Sequence, residues 1–268
     1  MTRRAVILAR GLGSRMRRDS GGVALGQVQA AAADAGHKAL MPVGRPLIEH
    51  LLTAVAEAGL TDAVIVIGPE HDEMRAHFGA HPARRVAITF AEQAQPLGTA
   101  DAVAAARAAC GSEPFVVLNG DTWYPPEAIR AVAAVSAPAF GAFDGAALVA
   151  EGNIPAERLL SFALCDVTAD GFLREIVEKP EADHPLARAA VPRVSMNLWH
   201  LPAAIFEVLP EVPISPRGEL ELLDGVRLLM ARGARVAAVP LACGLLDLST
   251  RGDVAAVTAR LGARPVAY

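Results

Sequence analysis

The chain has 268 residues, a formal net charge of −4 and only 4% aromatic residues. A nucleic-acid-binding surface needs a basic field or stacking rings, so this composition argues against a nucleic-acid partner. The mean hydropathy is +0.33, but no uncharged stretch reaches the roughly 18 residues of a membrane span, and we therefore expect no membrane association.

The first half alternates short β-branched runs with longer stretches of helical periodicity, a pattern typical of βαβ units around a mostly parallel sheet. We predict strands at 5–8, 63–67, 85–90 and 114–118, and helices at 46–59, 70–79 and 99–110. Ligands bind at the carboxyl ends of the strands in such doubly wound sheets, so the loops after these strands are expected to form the site.

The second half is less regular. Residues 159–180 predict a β-hairpin turned at 169–171, and a helix at 218–233, a strand at 235–241 and a helix at 251–262 follow. No linker, repeat or low-complexity run interrupts the chain. We therefore expect one domain over residues 1–268, built as a three-layer α/β fold with a Rossmann-like, mostly parallel, doubly wound sheet and a small inserted hairpin region.

The three cysteines stand far apart and form no Cys-x-x-Cys pair, and no signal segment precedes the first apolar run. These features favour a reducing compartment, so we expect a cytoplasmic protein without a zinc site. Residues 19–37 have small side chains and no strong apolar face, which is typical of a surface insertion or of a lid, and both readings stay open.

The first predicted strand runs into a glycine-spaced loop, "LARGLGSRM", which contains Gly11, Gly13 and Arg15. Glycines let the backbone approach phosphate oxygens, and an arginine adds a positive field. A dinucleotide fingerprint needs a glycine where Met16 stands, and no Walker-type lysine follows. The loop is therefore either an ordinary tight turn or a phosphate site.

Two further polar segments follow the glycine loop along the chain. Lys38 in "KALMPV" is either a surface lysine or a point charge for phosphates. In "QAQPLGTADA", Gln93 and Gln95 have the donors and acceptors that suit a base edge, and Thr99 either caps the next helix or faces a ligand.

Acidic and amide residues occur in the later segments. Asp121 directly follows an apolar strand in "NGDTW" and is either a Mg²⁺ ligand or part of a Gly-Asp turn. Asp247 in "CGLLDLST" needs a partner or a cation if it is buried, and it is a candidate second metal ligand. Glu178 and Asn197 have the groups that hold sugar hydroxyls, and Lys179 has the charge that holds a phosphate.

In their order along the chain these motifs resemble those of the sugar-1-phosphate nucleotidyltransferases, which include thymidylyl-, uridylyl- and guanylyltransferases acting on hexose 1-phosphates. The matching segments are "LARGLGSRM", "KALMPV", "QAQPLGTADA", "NGDTW", "VEKP", "SMNLW" and "RGELE", which cover nearly the whole chain. The resemblance implies Mg²⁺-dependent transfer of a nucleotidyl group from an NTP to a sugar 1-phosphate, with release of pyrophosphate and no covalent enzyme intermediate.

The resemblance also implies residue roles. It assigns Arg15, Lys38, Asp121 and Lys179 to catalysis; Leu8, Ala9, Gly11, Gly13, Ser14, Gln93, Gly98 and Thr99 to the nucleotide; Glu178, Lys179 and Asn197 to the sugar phosphate; and Asp121 and Asp247 to Mg²⁺. The nucleotide half then ends at about residue 120, the sugar-phosphate half at about 250, and a C-terminal helix occupies about 251–263.

Two departures from the family pattern leave alternatives open. Arg10 stands where a small residue is usual, and "GLLDLST" lacks the family's tryptophan and a glycine around Asp247. A non-catalytic nucleotide-sugar-binding regulatory subunit, or a transferase acting on a phosphorylated non-hexose, would keep the same fold. The position of Gln93 leans slightly towards a pyrimidine base, and homo-oligomer formation is left open.

Overall fold

The computed structural model describes residues 2–18 and 23–268. The strands are β1 Arg4–Leu8, β2 Pro42–Val43, β3 Arg45–Pro46, β4 Asp62–Ile67, β5 Ala87–Glu92, β6 Phe115–Asn119, β7 Thr122–Trp123, β8 Ala139–Asp144, β9 Ala163–Val167, β10 Leu173–Glu178, β11 Arg193–Leu201, β12 Ala237–Leu241 and β13 Leu246–Asp247. The α-helices are α1 Ser14–Arg17, α2 Gln27–Ala35, α3 Leu47–Glu57, α4 Asp72–Ala80, α5 Thr99–Ala105, α6 Arg107–Cys110, α7 Pro126–Ala133, α8 Gly145–Glu151, α9 Ile205–Val208, α10 Leu222–Ala231 and α11 Asp253–Leu261. Short 3₁₀ turns occupy Lys38–Leu40, Ala156–Ser161 and Leu209–Glu211.

A nine-stranded sheet forms the middle layer, with the order β10-β9-β11-β6-β1-β4-β5; in addition β8 pairs with β11, and β12 pairs with β8. Strands β1, β4, β5 and β6 pair in parallel, and β11 pairs antiparallel with β6, β8 and β9. Since β12 is parallel to β8 and β10 is antiparallel to β9, every strand except β10 and β11 runs in the direction of β1. The predicted fold class, a mostly parallel α/β sheet with an inserted hairpin, is confirmed.

The alternation of side chains along β1 explains the three layers. Ala5 and Ile7 pack on one face with α3, α4 and α7, whereas Val6 packs on the other with α5, α9 and α10. Because both faces are covered by helices, β1 is apolar along most of its length. A smaller cluster joins α1, α2 and α11 beside the sheet.

Three of the differences between the structure and the predicted elements concern the sheet and the helices that pack on it. The helix predicted at 99–110 is divided at Ala106 into α5 and α6. The helix predicted from residue 218 begins at Leu222, because residues 215–219 form a hydrogen-bonded turn. Strands β8 and β11 were not predicted, and they widen the sheet between the two halves of the chain.

Within the described residues, no helix is both long enough and apolar enough to span a bilayer.

Candidate active site

A cavity of about 380 Å³ lies at the carboxyl ends of the parallel strands. Of the predicted site residues it is lined by Leu8, Ala9, Gly11, Ser14, Arg15, Lys38, Gln93, Gly98, Thr99, Asp121, Glu178, Lys179, Asn197 and Asp247. These residues come from seven separate segments of the chain. The fold therefore brings together nearly all of the residues that the motifs single out.

Strand register explains why segments of both halves meet here. Leu8 pairs with Asn119 and with Val66, so the loops after β1, β4 and β6 leave one edge of the sheet. Strand β11 continues past that edge: Trp199 pairs with Val117, which places Asn197 beside the end of β6.

The hairpin of β9 and β10 extends the same wall of the cavity. Ala163, the first residue of β9, pairs with Ser195 on one side and with Glu178 on the other. Glu178 and Lys179 consequently lie near Asn197; the hairpin was predicted, whereas the antiparallel strand β11 beside it was not.

Gly13 is the predicted site residue that does not line the cavity. Its φ is +61°, and a Cβ there would lie 2.6 Å from the carbonyl oxygen of Gly36. Gly13 thus permits the close packing of the glycine loop against the end of α2. At Gly11, by contrast, a Cβ would meet nothing within 4 Å, so this part of the loop is open for a ligand.

The described part of the 19–37 segment is docked onto the glycine loop; Asp19–Gly22 lie outside the described residues. Ala33 of α2 is buried in the cluster that contains Met16 of α1, and Arg17 donates to the carbonyl of Ala35. Gly36 and His37 reach the cavity wall. From α2 onwards the segment is therefore packed against the glycine loop, although α2 buries only Ala33.

Arg10 does not extend into solvent, because its side chain is only 7% exposed. It donates to both carboxylate oxygens of Glu70, each at 3.2 Å, and to the backbone carbonyl of Gln93. The guanidinium therefore anchors the backbone of the loop that follows β5.

The amide of Gln93 has a defined orientation. Its Nε2 donates to the carbonyl of Gly98 at 3.1 Å and to Oδ2 of Asp101 at 2.8 Å. Both partners are acceptors only, so the amide nitrogen has to face them, and Oε1 points the other way. Gln93 lines the cavity, and Oε1 is the polar side-chain atom that these two hydrogen bonds do not use.

The prediction that Thr99 caps the following helix is wrong. The N-cap of α5 is Gly98, at φ 122°, and the helix has no side-chain cap. The Thr99 hydroxyl instead accepts a hydrogen bond of 2.9 Å from the backbone N–H of Leu222, which connects α5 to the start of α10.

Lys38 and Asp121, which both line the cavity, form an ion pair with each other. The Lys38 Nζ lies 2.8 Å from Oδ2 of Asp121, and the two side chains are 14% and 28% exposed. The other carboxylate oxygen of Asp121 contacts the Thr122 hydroxyl at 3.5 Å. The lysine was expected to reach phosphates, and here it pairs with the predicted metal ligand.

Asp247 is 7% exposed and has the partner that its burial requires. Arg158, in the 3₁₀ turn Ala156–Ser161, donates to its Oδ2 at 2.6 Å. Burial, together with the neighbouring carboxylate of Asp121, raises the pKa of Asp247. The pairing of β13 with β7, in which Asp247 lies opposite Thr122, brings these two acids together.

The acidic side chains of the cavity fit one magnesium ion that is held partly by the protein and partly by substrate phosphates. Within residues 2–18 and 23–268, no three His, Cys, Asp or Glu side chains converge closely enough to hold a metal by themselves. Asp121 has a weakly engaged oxygen that faces the cavity, and Mg²⁺ is commonly held by one or two carboxylates plus substrate phosphates.

The part of the cavity wall that contains Glu178, Lys179 and Asn197 combines charge with backbone strain. Among the described residues, Lys179 and Asn197 are the non-glycine residues with positive φ, at 46° and 56°. Such conformations cost about 1–3 kcal/mol each and cluster at functional sites. Burial raises the pKa of Glu178, and the charges of Arg217 and Lys179 oppose this effect.

Two functional residues were missed at the sequence level. Arg217 lines the cavity and lies 3.7 Å from Glu178 while it pairs with Glu221 at 2.6 Å. It is the arginine of "RGELE", so the motif signal was present but no residue was assigned. Arg158 belongs to none of the motifs, and nothing local in the sequence connects it to Asp247.

Comparison with known proteins gives consistent matches. Residues 4–247 match the family described as nucleotidyl transferase. A low-salt glycan biosynthesis nucleotidyltransferase of Haloferax volcanii is 28% identical over 232 residues, which are 86% of this chain and 58% of that protein. A glucose-1-phosphate thymidylyltransferase of Streptomyces griseus is 28% identical over 234 residues, which are 87% of this chain and 59% of that protein. The chain thus spans under two thirds of the length of these relatives.

The fold is also shared with a solved structure. UDP-glucose pyrophosphorylase complexed with UDP-glucose superimposes with a TM-score of 0.76 at 17% identity, over 97% of this chain and 98% of that one.

Proposed function

The chain belongs to the nucleotidyl transferase family, and we propose that it transfers a nucleotidyl group from an NTP to a sugar 1-phosphate. The products are a nucleotide sugar and pyrophosphate. The observation that carries the proposal is the single cavity, which joins the glycine loop and Lys38 to Glu178, Lys179 and Asn197. This arrangement also supports a nucleotide-binding half followed by a sugar-phosphate half.

In the proposed reaction an oxygen of the sugar phosphate attacks the α-phosphorus of the NTP. The bond between that phosphorus and the bridging oxygen breaks, and pyrophosphate leaves with the electron pair. Both substrates are anions that repel each other, so catalysis rests on positioning and on charge neutralisation. The cavity wall offers Arg15 and Lys38 at one end and Lys179 and Arg217 at the other, which supplies cations in a protein of net negative charge.

We propose Mg²⁺ as the cofactor and Asp121 as the residue that holds it together with substrate phosphates. When bound, the ion neutralises charge that develops on the α-phosphate. Lys38 keeps the Asp121 carboxylate paired in the ligand-free chain, and the phosphates of the NTP compete for the same ammonium. Release of Asp121 is then coupled to arrival of the nucleotide.

We propose that the base carries an imide N–H, as uracil and thymine do. Gly98 and Asp101 hold the amide nitrogen of Gln93, so that the oxygen is left for the ligand. Uracil and thymine donate from N3 to such an acceptor, whereas cytosine presents an acceptor there. An acceptor facing another acceptor costs about 1–3 kcal/mol, so UTP or dTTP is favoured over CTP by roughly 10- to 100-fold.

The direct test measures pyrophosphate release from UTP, dTTP, CTP, ATP and GTP with a panel of sugar 1-phosphates and Mg²⁺. We expect release with UTP or dTTP and one or more hexose 1-phosphates. A thermal-shift screen of the triphosphates serves as a prior step, because a ligand at 100 times its Kd stabilises the fold by about 2.7 kcal/mol. Binding without turnover for every pair would refute the transferase and favour the regulatory subunit.

A cytoplasmic location is part of the proposal. The free thiols Cys110, Cys165 and Cys243 suit a reducing compartment.

A further inference from the structure

Arg158 joins two buried carboxylates behind the cavity. Its Nη2 lies 2.6 Å from Asp247 and its Nη1 lies 2.7 Å from Asp253. We infer that this guanidinium occupies the position of a cation at Asp247, so that Asp247 is not a metal ligand and Asp121 is the carboxylate of this pair that holds the divalent ion. The inference rests on the proposed function, and it concerns how the same site handles its metal.

The position of Arg158 is fixed because each of its two acidic partners, Asp253 and Asp247, is itself held by hydrogen bonds. Oδ2 of Asp253 accepts from the backbone N–H groups of Ser249 and Thr250, at 3.0 and 2.7 Å, which leaves Oδ1 for the guanidinium. On the other side, the backbone N–H and carbonyl of Asp247 bond to the side-chain amide of Asn153, both at 2.8 Å. Because its guanidinium is planar and both acceptors are fixed, Arg158 loses little conformational freedom when it forms these two hydrogen bonds.

The two acids that face each other thus have different kinds of partner. Asp121 is paired with an ammonium on a flexible stem, in a pair that faces the cavity. Asp247 is paired with a preorganised guanidinium that bonds a second carboxylate, and its side chain is nearly fully buried. A ligand can therefore compete for Lys38, but a metal at Asp247 would have to displace Arg158 from both carboxylates or lie next to its positive charge.

Arg158 also changes the charge of the site. Lys38, Arg158, Asp121, Asp247 and Asp253 sum to −1 in the ionised state. Without Arg158 the sum is −2, and the Asp247 carboxylate is open to a cation. Removal of this one arginine is therefore expected to create metal affinity that depends on Asp247.

The experiment is a Mn²⁺ titration followed by the EPR signal of free Mn²⁺, with no turnover. The probes are the α,β-methylene analogue of UTP and, independent of the base, inorganic tripolyphosphate. The variants are D121N, D247N, R158Q, R158Q/D247N and R158K. The matched control is R174Q, an exposed arginine that pairs with Asp166 on the β9–β10 hairpin.

We expect D121N, which loses the metal ligand, to weaken Mn²⁺ binding by at least about 100-fold, and D247N, which loses one nearby negative charge but no ligand, to weaken it by at most about 10-fold. R158Q is expected to tighten Mn²⁺ binding by about 10-fold, which corresponds to removal of one repelling charge. The double variant should return to the wild-type affinity, because the gain requires Asp247. R158K keeps the charge and R174Q lies elsewhere, so both should bind Mn²⁺ as the wild type does.

Weakening by D247N as large as that by D121N would overturn the inference and leave the proposed function intact. If the wild type binds Mn²⁺ with neither of the two probes, both the inference and the proposed function are overturned. The D247N result is decisive even if R158Q does not fold, since D247N leaves Arg158 its bond to Asp253.

Discussion

The two ends of the cavity are built in opposite ways. At the nucleotide end the chain presents backbone: Gly11 is open, and Gly98 at φ 122° packs so closely on Leu220 that no side chain fits. At the sugar-phosphate end Lys179 and Asn197 take the left-handed conformation with full side chains. In the proposed function the open backbone at Gly11 meets the triphosphate, and the strained residues Lys179 and Asn197 meet the sugar phosphate.

Asp121 lies between the two ends, so its loss should impair both. We expect Asp121→Asn to lower the rate of pyrophosphate release by at least about 100-fold, or about 2.7 kcal/mol of activation free energy, because the charge that holds the metal is lost. The matched control is Asp166→Asn, because Asp166 does not line the cavity. This variant should leave the rate of pyrophosphate release unchanged. Near-normal release by the Asp121 variant at saturating Mg²⁺ would refute its role.

The nucleotide end is tested by two glycines. In Gly98→Ala the new Cβ would lie 2.5 Å from the carbonyl oxygen of Leu220, at a strained φ, so we expect a loss of about 2 kcal/mol in the free energy of unfolding. Gly11→Ala meets no atom within 4 Å and should unfold like the wild type while it binds the NTP more weakly. Urea denaturation measures the stability of the two variants, and nucleotide titration measures their affinity for the NTP. Equal stabilities of the two variants would contradict the packing argument.

At the sugar-phosphate end the side chain should matter. Lys179→Ala is expected to weaken binding of the sugar 1-phosphate by about 10-fold, because one charge-assisted contact is lost. Binding of the NTP should change much less. Separate calorimetric titrations of the two substrates measure this, and equal losses for both would place Lys179 at the nucleotide instead.

The smallest expected effect concerns strain. Asn197→Gly should raise the free energy of unfolding by up to about 1 kcal/mol, because glycine adopts φ 56° without a penalty. Asn197→Ala keeps the strain and removes the same amide. Both variants should bind the sugar 1-phosphate more weakly, but only the glycine variant should gain stability in urea denaturation. A gain in both, or in neither, would argue against a strained backbone at this position.

The sequence by itself determined the elements and residues whose signals are local. The alternation of apolar strands and amphipathic helices predicted the parallel half of the sheet, and polar residues after strand ends predicted the cavity. This succeeded because strand ends in a parallel sheet share one edge, which brings residues as distant as Gly11 and Asp121 together without further information.

Only the tertiary structure decided which polar groups pair. Arg158 is separated from Asp247 by 89 positions, and Arg10 is separated from Glu70 by 60. Neither pair has a periodicity or a motif, because a single ion pair between segments leaves no trace in local sequence. The same limit explains the wrong cap at Thr99: its hydroxyl is taken by Leu222, which the chain reaches 123 positions later.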